Sequence, residues 1–207
     1  MKVRNLLILG AVLLFALPAM AQDDDGKFEL SAEFSYIRWN PAKNFSNSAN
    51  LFGGGGSVSY FFTPMIGIKG ELTGYGSQNF TVTVPTEEGN AVFIASGNLF
   101  TYLFGPVIKK RSGTFQPYGQ VLLGGAHSNV FANLNTNGLV GGSRSGNAFA
   151  MAAGAGLDIK LSHSISLRPA EVDYVLTRFQ AFNGVGIPPS THNQNSFRYQ
   201  AGIVFSF

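Results

Sequence analysis

Hydrophobic and polar residues alternate at period two along most of this chain, which is the pattern of β-strands whose two faces meet different surroundings. The segment Phe197–Phe207 shows the alternation most clearly. Its first face is apolar and rich in aromatic rings, and its second is mostly polar or small. The first face holds Phe197, Tyr199, Ala201, Ile203, Phe205 and Phe207, and the second holds Arg198, Gln200, Gly202, Val204 and Ser206.

Seven further segments carry the same signature and are bounded by turn residues. The fourth is apolar at both parities, so its faces stay unassigned. In the seventh, the apolar parity changes next to Pro169, which predicts a β-bulge because proline cannot serve an ordinary ladder position. The eight predicted strands are Lys27–Arg38, Leu51–Phe62, Met65–Tyr75, Val92–Gly105, Phe115–His127, Asn147–Leu161, Ser164–Arg178 and Asn195–Phe207.

The connections alternate in length. Long polar segments follow the odd-numbered strands, at Asn40–Asn50, Gly76–Asn90, Ser128–Gly146 and Phe179–Gln194. Short turns follow the second, fourth and sixth strands, at Thr63-Pro64, at Pro106–Thr114 with its basic run Lys109-Lys110-Arg111, and at Ser162-His163. Long loops at one end and tight turns at the other are typical of outer-membrane β-barrels, which have an even number of strands.

The first residues have the features of a secretory signal peptide. Lys2 and Arg4 provide a positive start, Leu6–Leu17 is continuously apolar, and Ala19-Met20-Ala21 is an A-x-A cleavage signal. The apolar run is too short for a membrane-spanning helix. We therefore expect a signal peptide over residues 1–21 and one barrel domain over residues 22–207.

Composition excludes several kinds of site. The chain has no cysteine, so disulfides, zinc–thiolate sites and iron–sulfur clusters are impossible. Of its 14 Lys and Arg residues, two lie in the predicted signal peptide, which leaves 12 against 11 acidic residues. This near-neutral balance, with no basic cluster along one face, gives no indication of nucleic-acid binding.

Two kinds of barrel fit this pattern, and they differ in which face points outward. In a secreted barrel of the lipocalin kind the apolar face lies inside. Here the aromatic face is too bulky for an eight-stranded interior, so we expect it to contact lipid. The opposite face carries small residues and charges well inside the strands. Those charges are Glu29, Glu33, Lys69, Glu71, Asp158, Lys160, Arg168, Glu171, Asp173 and Arg198.

Aromatic residues near the strand ends fit the interfacial girdles of membrane barrels. We assign Tyr36, Trp39, Tyr75, Tyr118 and Tyr199 to these girdles. The predicted fold class is therefore all-β, an eight-stranded antiparallel up-and-down transmembrane β-barrel. We expect it to lie in the bacterial outer membrane after export.

With these features the chain resembles the OmpA-type outer-membrane barrel family, in the form where the barrel stands alone. The resemblance rests on the A-x-A signal and on YFFTPMIGIKGEL, FGPVIKKRSGTFQPYGQVLLGGAH, ISLRPAEVDY and RYQAGIVFSF. It covers nearly all of the mature chain and implies that the peptidoglycan-binding domain of longer relatives is missing. In such families the outer-membrane assembly machinery reads a terminal phenylalanine, so the resemblance implies that Phe207 is an assembly signal.

Enzymatic activity has little support in the sequence. Some small barrels that modify lipid resemble serine hydrolases, with His and Ser two residues apart on one strand. His127 and Ser128 are adjacent, so in a strand they would point to opposite faces. His127, His163 and His192 are scattered and form no metal constellation. We expect no catalytic residue, no metal site and no cofactor.

The inward charges favour a closed lumen filled by ion pairs, because an unpaired buried charge is costly. The candidates are Glu29, Glu33, Lys69, Glu71, Arg168, Glu171, Asp173 and Arg198. Two functions stay open: a structural or surface-interaction protein that acts through long extracellular loops, and a small porin-like channel that opens when the pairs rearrange. The partners we expect are outer-membrane lipid, the assembly machinery and an unknown extracellular ligand, with the barrel itself a monomer.

Overall fold

The computed structural model describes residues 27–39, 49–86, 89–133, 142–180 and 191–207. Each strand pairs antiparallel with the next, and the last pairs with the first, so the sheet closes into a barrel and the predicted fold class is confirmed. No described segment is a helix of the length and apolarity that crossing a membrane requires. The strands are β1 (Phe28–Trp39), β2 (Ala49–Phe61), β3 (Ile66–Thr86), β4 (Gly89–Lys109), β5 (Phe115–Asn133), β6 (Gly142–Lys160), β7 (Ile165–Gln180) and β8 (Thr191–Ser206).

The barrel closes along the seam between β1 and β8. Arg38 lies opposite Phe197 at one end of this seam. At the other end Phe28 and Phe207 exchange backbone hydrogen bonds, with N···O distances of 3.1 and 2.9 Å. Closure pairs both edges of the sheet, which lipid requires because it offers no hydrogen-bond partner to the backbone.

Exposure alternates along the strands and places the aromatic face outside. On β8, Phe197 and Ile203 are 61% and 46% exposed, whereas Arg198 and Val204 are 1% and 0% exposed. The faces of β4, which the sequence left unassigned, follow the same rule. Its outward residues include Phe100, Tyr102, Phe104 and Ile108, and its inward residues include Leu99, Thr101, Leu103 and Val107.

β7 contains the bulge that the change of parity predicts. Its register with β8 shifts between Arg168 and Glu171. The shift encloses Pro169, whose carbonyl oxygen accepts a hydrogen bond from the Tyr199 hydroxyl at 2.5 Å. In a regular strand, residues three apart point to opposite faces. The bulge instead turns both Arg168 and Glu171 into the lumen.

The long-loop end is more regular than the sequence predicts. The loop prediction for Gly76–Asn90 is wrong, because β3 continues to Thr86 and β4 begins at Gly89. The register of β3 with β2 ends at Tyr75, and that of β4 with β5 ends at Ile94. Residues 82–86 and 89–93 therefore form the end of a hairpin in which the described strands pair only with each other. The alternating Thr and Val residues of this end are strong strand formers.

Other loop predictions are correct only in part. β5 and β6 take up the ends of Ser128–Gly146, and β7 and β8 take up the ends of Phe179–Gln194. The predicted signal peptide and the rest of the long loops lie outside the described residues, as does the side chain of Trp39.

Ile203 faces lipid, and its neighbour Val204 faces the lumen. Ile203→Arg should lower the free energy of unfolding by about 2–4 kcal/mol, because a cation near the bilayer midplane is costly. Val204→Ser should cost clearly less. Urea unfolding of the refolded barrel in lipid measures both values, and the reverse order would show that the two faces are exchanged.

Candidate functional site in the barrel lumen

Side chains fill the interior in three layers. Phe61, Val107 and Tyr118 form an apolar cluster toward the turn end. Charged and polar residues form the middle layer. A second apolar cluster lies toward the long-loop end, and it consists of Ile37, Leu51, Tyr75, Leu99, Leu103, Leu122, Ala126, Ala150, Ala152 and Val175. At the turn end the charged residues also reach past the first cluster, because Lys109 lies opposite Tyr118 and Arg111 lies near Glu29.

Tyr75 and Tyr118 belong to the lumen, so their assignment to an interfacial girdle is wrong. They are only 3% and 5% exposed. Tyr75 follows the inward residue Glu71 by four positions, and Tyr118 follows the inward residue Gln116 by two. Because side chains in a strand alternate at period two, both rings point into the lumen. Tyr36 is half-buried and Tyr199 is exposed on the outer side.

Glu171 on β7 is the centre of the charged layer. Its carboxylate accepts hydrogen bonds from Lys69 Nζ at 3.0 Å, from Gln120 Nε2 at 2.7 Å and from the Tyr118 hydroxyl. It also lies 3.1 Å from Arg168 Nη1. These donors come from three strands, so one buried carboxylate ties β3 and β5 to β7.

Arg198 on β8 holds two further carboxylates. Its Nε and Nη2 donate to Asp173 Oδ2 at 3.0 and 2.7 Å. Its Nη1 and Nη2 also donate to the two carboxylate oxygens of Glu71. The planar guanidinium presents several donors in a fixed fork, which is why an arginine can orient two carboxylates at once.

Arg168 links the bulge of β7 to β1 and β6. Its Nε and Nη2 donate to the two oxygens of Asp158 at 2.8 and 3.0 Å, and its Nη1 donates to Glu33 Oε1 at 2.5 Å. The guanidinium lies 4.6 Å from the centroid of the Tyr118 ring. This stacking supports the cation in a geometry that the ring favours.

Lys109 is a lumen residue that sequence reasoning missed. The basic run predicts a turn, but β4 continues through Lys109, which is 2% exposed. Its Nζ lies 2.8 Å from both oxygens of Glu29 and 2.7 Å from Asp158 Oδ2. The sequence offered no signal for this, because residues 103–108 are apolar at both parities and do not mark position 109 as inward.

Two other basic residues lie near the turn end. Arg111 places its Nε 3.7 Å from Glu29 and its guanidinium 4.6 Å from the centroid of the Phe61 ring, so it covers the mouth of the lumen. Lys160, which the sequence places on the inward face, is exposed as the last residue of β6. Its position at the rim lets the ammonium reach solvent.

All eight predicted ion-pair residues lie buried in the lumen, and each contacts an opposite charge. They come from β1, β3, β7 and β8, and Lys109 and Asp158 add β4 and β6. The side chains of His127 and Asn147 make a separate contact near the long-loop end, with His127 Nδ1 and Asn147 Oδ1 2.6 Å apart.

A family model described as "Outer membrane protein beta-barrel domain" matches residues 7–207. The chain belongs to this family. It is therefore a bacterial outer-membrane β-barrel protein, and the resemblance noted from the sequence is confirmed. No curated protein sequence matches the chain significantly.

Solved structures of small outer-membrane proteins have the same fold. Ail, the attachment invasion locus protein of Yersinia pestis, aligns with a TM-score of 0.58 at 17% identity, over 88% of this chain and 99% of that chain. OprG from Pseudomonas aeruginosa aligns with a TM-score of 0.56 at 16% identity, over 89% and 99%. Neisserial surface protein A aligns with a TM-score of 0.55 at 14% identity, over 87% and 97%. At these identities the likeness shows the fold alone.

Arg168→Ala should lower the free energy of unfolding by about 3–5 kcal/mol, because it leaves Glu33 and Asp158 buried with fewer cations. Lys110→Ala, in the exposed turn after β4, is the control and should change stability by no more than about 0.5 kcal/mol. Urea unfolding of the refolded barrel gives both values. Equal effects of the two substitutions would contradict a tightly paired lumen.

Proposed function

We propose that this outer-membrane barrel has a structural and surface-interaction role, and that it contacts its partners through the long-loop end. The filled lumen is the observation that supports this most. Two apolar clusters and a charged network occupy the interior, and the charged network is almost completely buried. A barrel filled in this way has its available surfaces at the two ends and on the lipid face.

The long-loop end carries the larger of the two end surfaces. β3 and β4 pair with each other up to Thr86 and Gly89, beyond the last described pairings of β2 and β5. We propose that this hairpin and the other long loops lie outside the cell, as loop-length asymmetry indicates in outer-membrane barrels. The tight turns, which include Lys110 and His163, then face the periplasm.

The remaining expectations belong to the same proposal. The signal peptide is cleaved after Ala21, the assembly machinery reads Phe207, and the barrel acts as a monomer without catalysis. The backbone of Phe207 pairs with Phe28 at the closing seam, so recognition of this strand would act on the last edge of the sheet to be sealed.

A small channel is the second candidate function. One observation favours it: each of the four buried basic side chains has more than one acidic neighbour, and Lys69 and Arg198 are examples. Lys69 Nζ lies 3.0 Å from Glu171 and 3.4 Å from Glu71, and Arg198 Nη2 lies 2.7 Å from Asp173 and 3.7 Å from Glu171. An exchange of partners could therefore move these side chains without leaving a charge unpaired.

Conductance of the refolded mature protein in planar bilayers separates the two functions. We expect little or no steady conductance, because side chains fill an eight-stranded lumen and stranding a buried charge is costly. A stable, reproducible open level of porin size, from protein free of porin contamination, would overturn the structural reading and favour the channel.

A shortened hairpin tests the surface role. Replacing residues 82–93 with Asn-Gly joins Thr81 to Ile94, which already lie opposite each other, through a favoured two-residue turn. We expect stability to change by no more than about 0.5 kcal/mol. Heparin is the first probe, because the structure of Ail has also been solved in complex with a heparin analogue. Cells that display the wild-type protein should bind immobilised heparin better than cells that display the shortened form.

Equal surface display is the control for this comparison. A single cysteine at position 137, in a long loop that both forms retain, should react with an impermeant reagent in intact cells to the same extent in both, and one at position 110 should not react. Equal heparin binding by wild-type and shortened proteins would contradict a role of the hairpin in this contact. Labelling at position 110 alone would invert the topology.

A further inference from the structure

The charged layer carries one negative charge more than its basic side chains balance. Six buried carboxylates meet four buried basic side chains and the half-buried Arg111 at the turn-end mouth. In a lumen enclosed by lipid, such an excess is expected to attract a compensating cation. The carboxylates are Glu29, Glu33, Glu71, Asp158, Glu171 and Asp173, and the buried basic residues are Lys69, Lys109, Arg168 and Arg198.

The excess charge is concentrated at Glu33. Its Oε1 accepts hydrogen bonds from Arg168 Nη1 and Ser31 Oγ, but its Oε2 has no hydrogen-bond partner among the described residues. The Glu33 side chain is 0% exposed. Every other carboxylate oxygen of the layer accepts a hydrogen bond.

Gln200 is a second, independent sign of an occupant beside Glu33. It is 0% exposed, and neither its amide oxygen nor its amide nitrogen has a hydrogen-bond partner in the described part of the chain. It lies opposite Glu171 on β7 and two residues from Gly202, which pairs with Glu33 on β1. Since all three side chains point inward from neighbouring strands, the amide is directed to the same part of the lumen as both carboxylates.

Glycines flank Glu33 on both neighbouring strands. Its cross-strand neighbours are Gly55 on β2 and Gly202 on β8. A Cβ at Gly55 would lie 2.3 Å from Leu72 O, and one at Gly202 would lie 2.1 Å from Ala32 O. Close strand approach therefore requires glycine at both positions, so neither cross-strand neighbour places a side chain beside Glu33.

The oxygens nearby have a spacing that suits a hard cation. Carboxylate oxygens of Glu33, Glu71 and Glu171 all lie within 4.8 Å of one another. Hard cations such as Ca²⁺ bind oxygen ligands at about 2.3–2.6 Å, so ligands on opposite sides of such an ion are about 5 Å apart. Lys69, Arg168 and Arg198 donate hydrogen bonds to these three carboxylates and hold them in place, and Glu33 Oε2 is the one oxygen of the three that accepts none from the described residues.

We propose that Glu33, Glu71, Glu171 and the amide oxygen of Gln200 bind one hard monovalent cation of the Na⁺ class inside the lumen. One monovalent cation balances the single excess negative charge of the layer. A divalent ion would instead place an excess positive charge beside the three basic side chains. The donors are all oxygens, which hard cations prefer. This site is independent of the surface role proposed above.

Urea unfolding of the refolded wild-type barrel, with NaCl replacing choline chloride at constant ionic strength, tests the site. A ligand that binds only the folded state stabilises it by mass action. We expect the unfolding midpoint to rise with Na⁺ concentration. Above the dissociation constant, each tenfold increase in Na⁺ should multiply the folding equilibrium constant by about ten. Glu33→Gln and Gln200→Leu should abolish this rise.

Ser196→Ala is the matched control, because it removes another buried β8 oxygen that has no described partner. It should keep the response to Na⁺.

A wild-type midpoint that is independent of Na⁺ would overturn the proposal, and so would a response that Glu33→Gln and Gln200→Leu both retain. A midpoint that changes with pH but not with Na⁺ would assign the compensating charge to a proton instead. A stronger response to Mg²⁺ than to Na⁺ would contradict a monovalent ion. The wild-type titration gives a result even where a variant fails to fold.

Discussion

The ion pairs around Glu171 and Arg198 are the interaction on which the interior of this barrel depends. Closure of eight strands leaves a lumen just wide enough for side chains, and the lipid outside keeps water away from the sheet. Charges in such a space are tolerated only when they are paired and hydrogen-bonded. The basic residues therefore each reach carboxylates on other strands, and the network crosses the lumen instead of following one strand.

Backbone irregularities make this network possible. The bulge at Pro169 turns Arg168 and Glu171 to the same side. Glycines at positions 55 and 202 let neighbouring strands approach closely on both sides of Glu33. Gly156 has a related effect at the turn end, because a Cβ there would lie 2.3 Å from the Tyr118 hydroxyl oxygen. Proline and glycine thus set where the long polar side chains can meet.

Because side chains fill the lumen, the surfaces through which the barrel can contact partners lie at its two ends. The turn end is covered by Arg111 over Phe61, whereas the long-loop end extends into the β3–β4 hairpin. Membership of the outer-membrane barrel family accounts for the lipid-facing exterior.

The sequence by itself determined the strand number, the outward face and the bulge, because each is a local property that period-two alternation and Pro169 record. It also identified nine inward charges, since parity alone separates Arg198 from Phe197. The predictions were wrong where a second pattern competed with the alternation. The basic run led to the prediction of a turn at Lys109, and the preference of tyrosine for membrane interfaces led to the girdle assignment of Tyr75 and Tyr118. Only the tertiary structure decided which charges meet. Lys109 contacts Glu29 across 80 residues and Arg198 contacts Glu71 across 127, because closure and strand register, which no local pattern encodes, bring these side chains to the same height in the lumen.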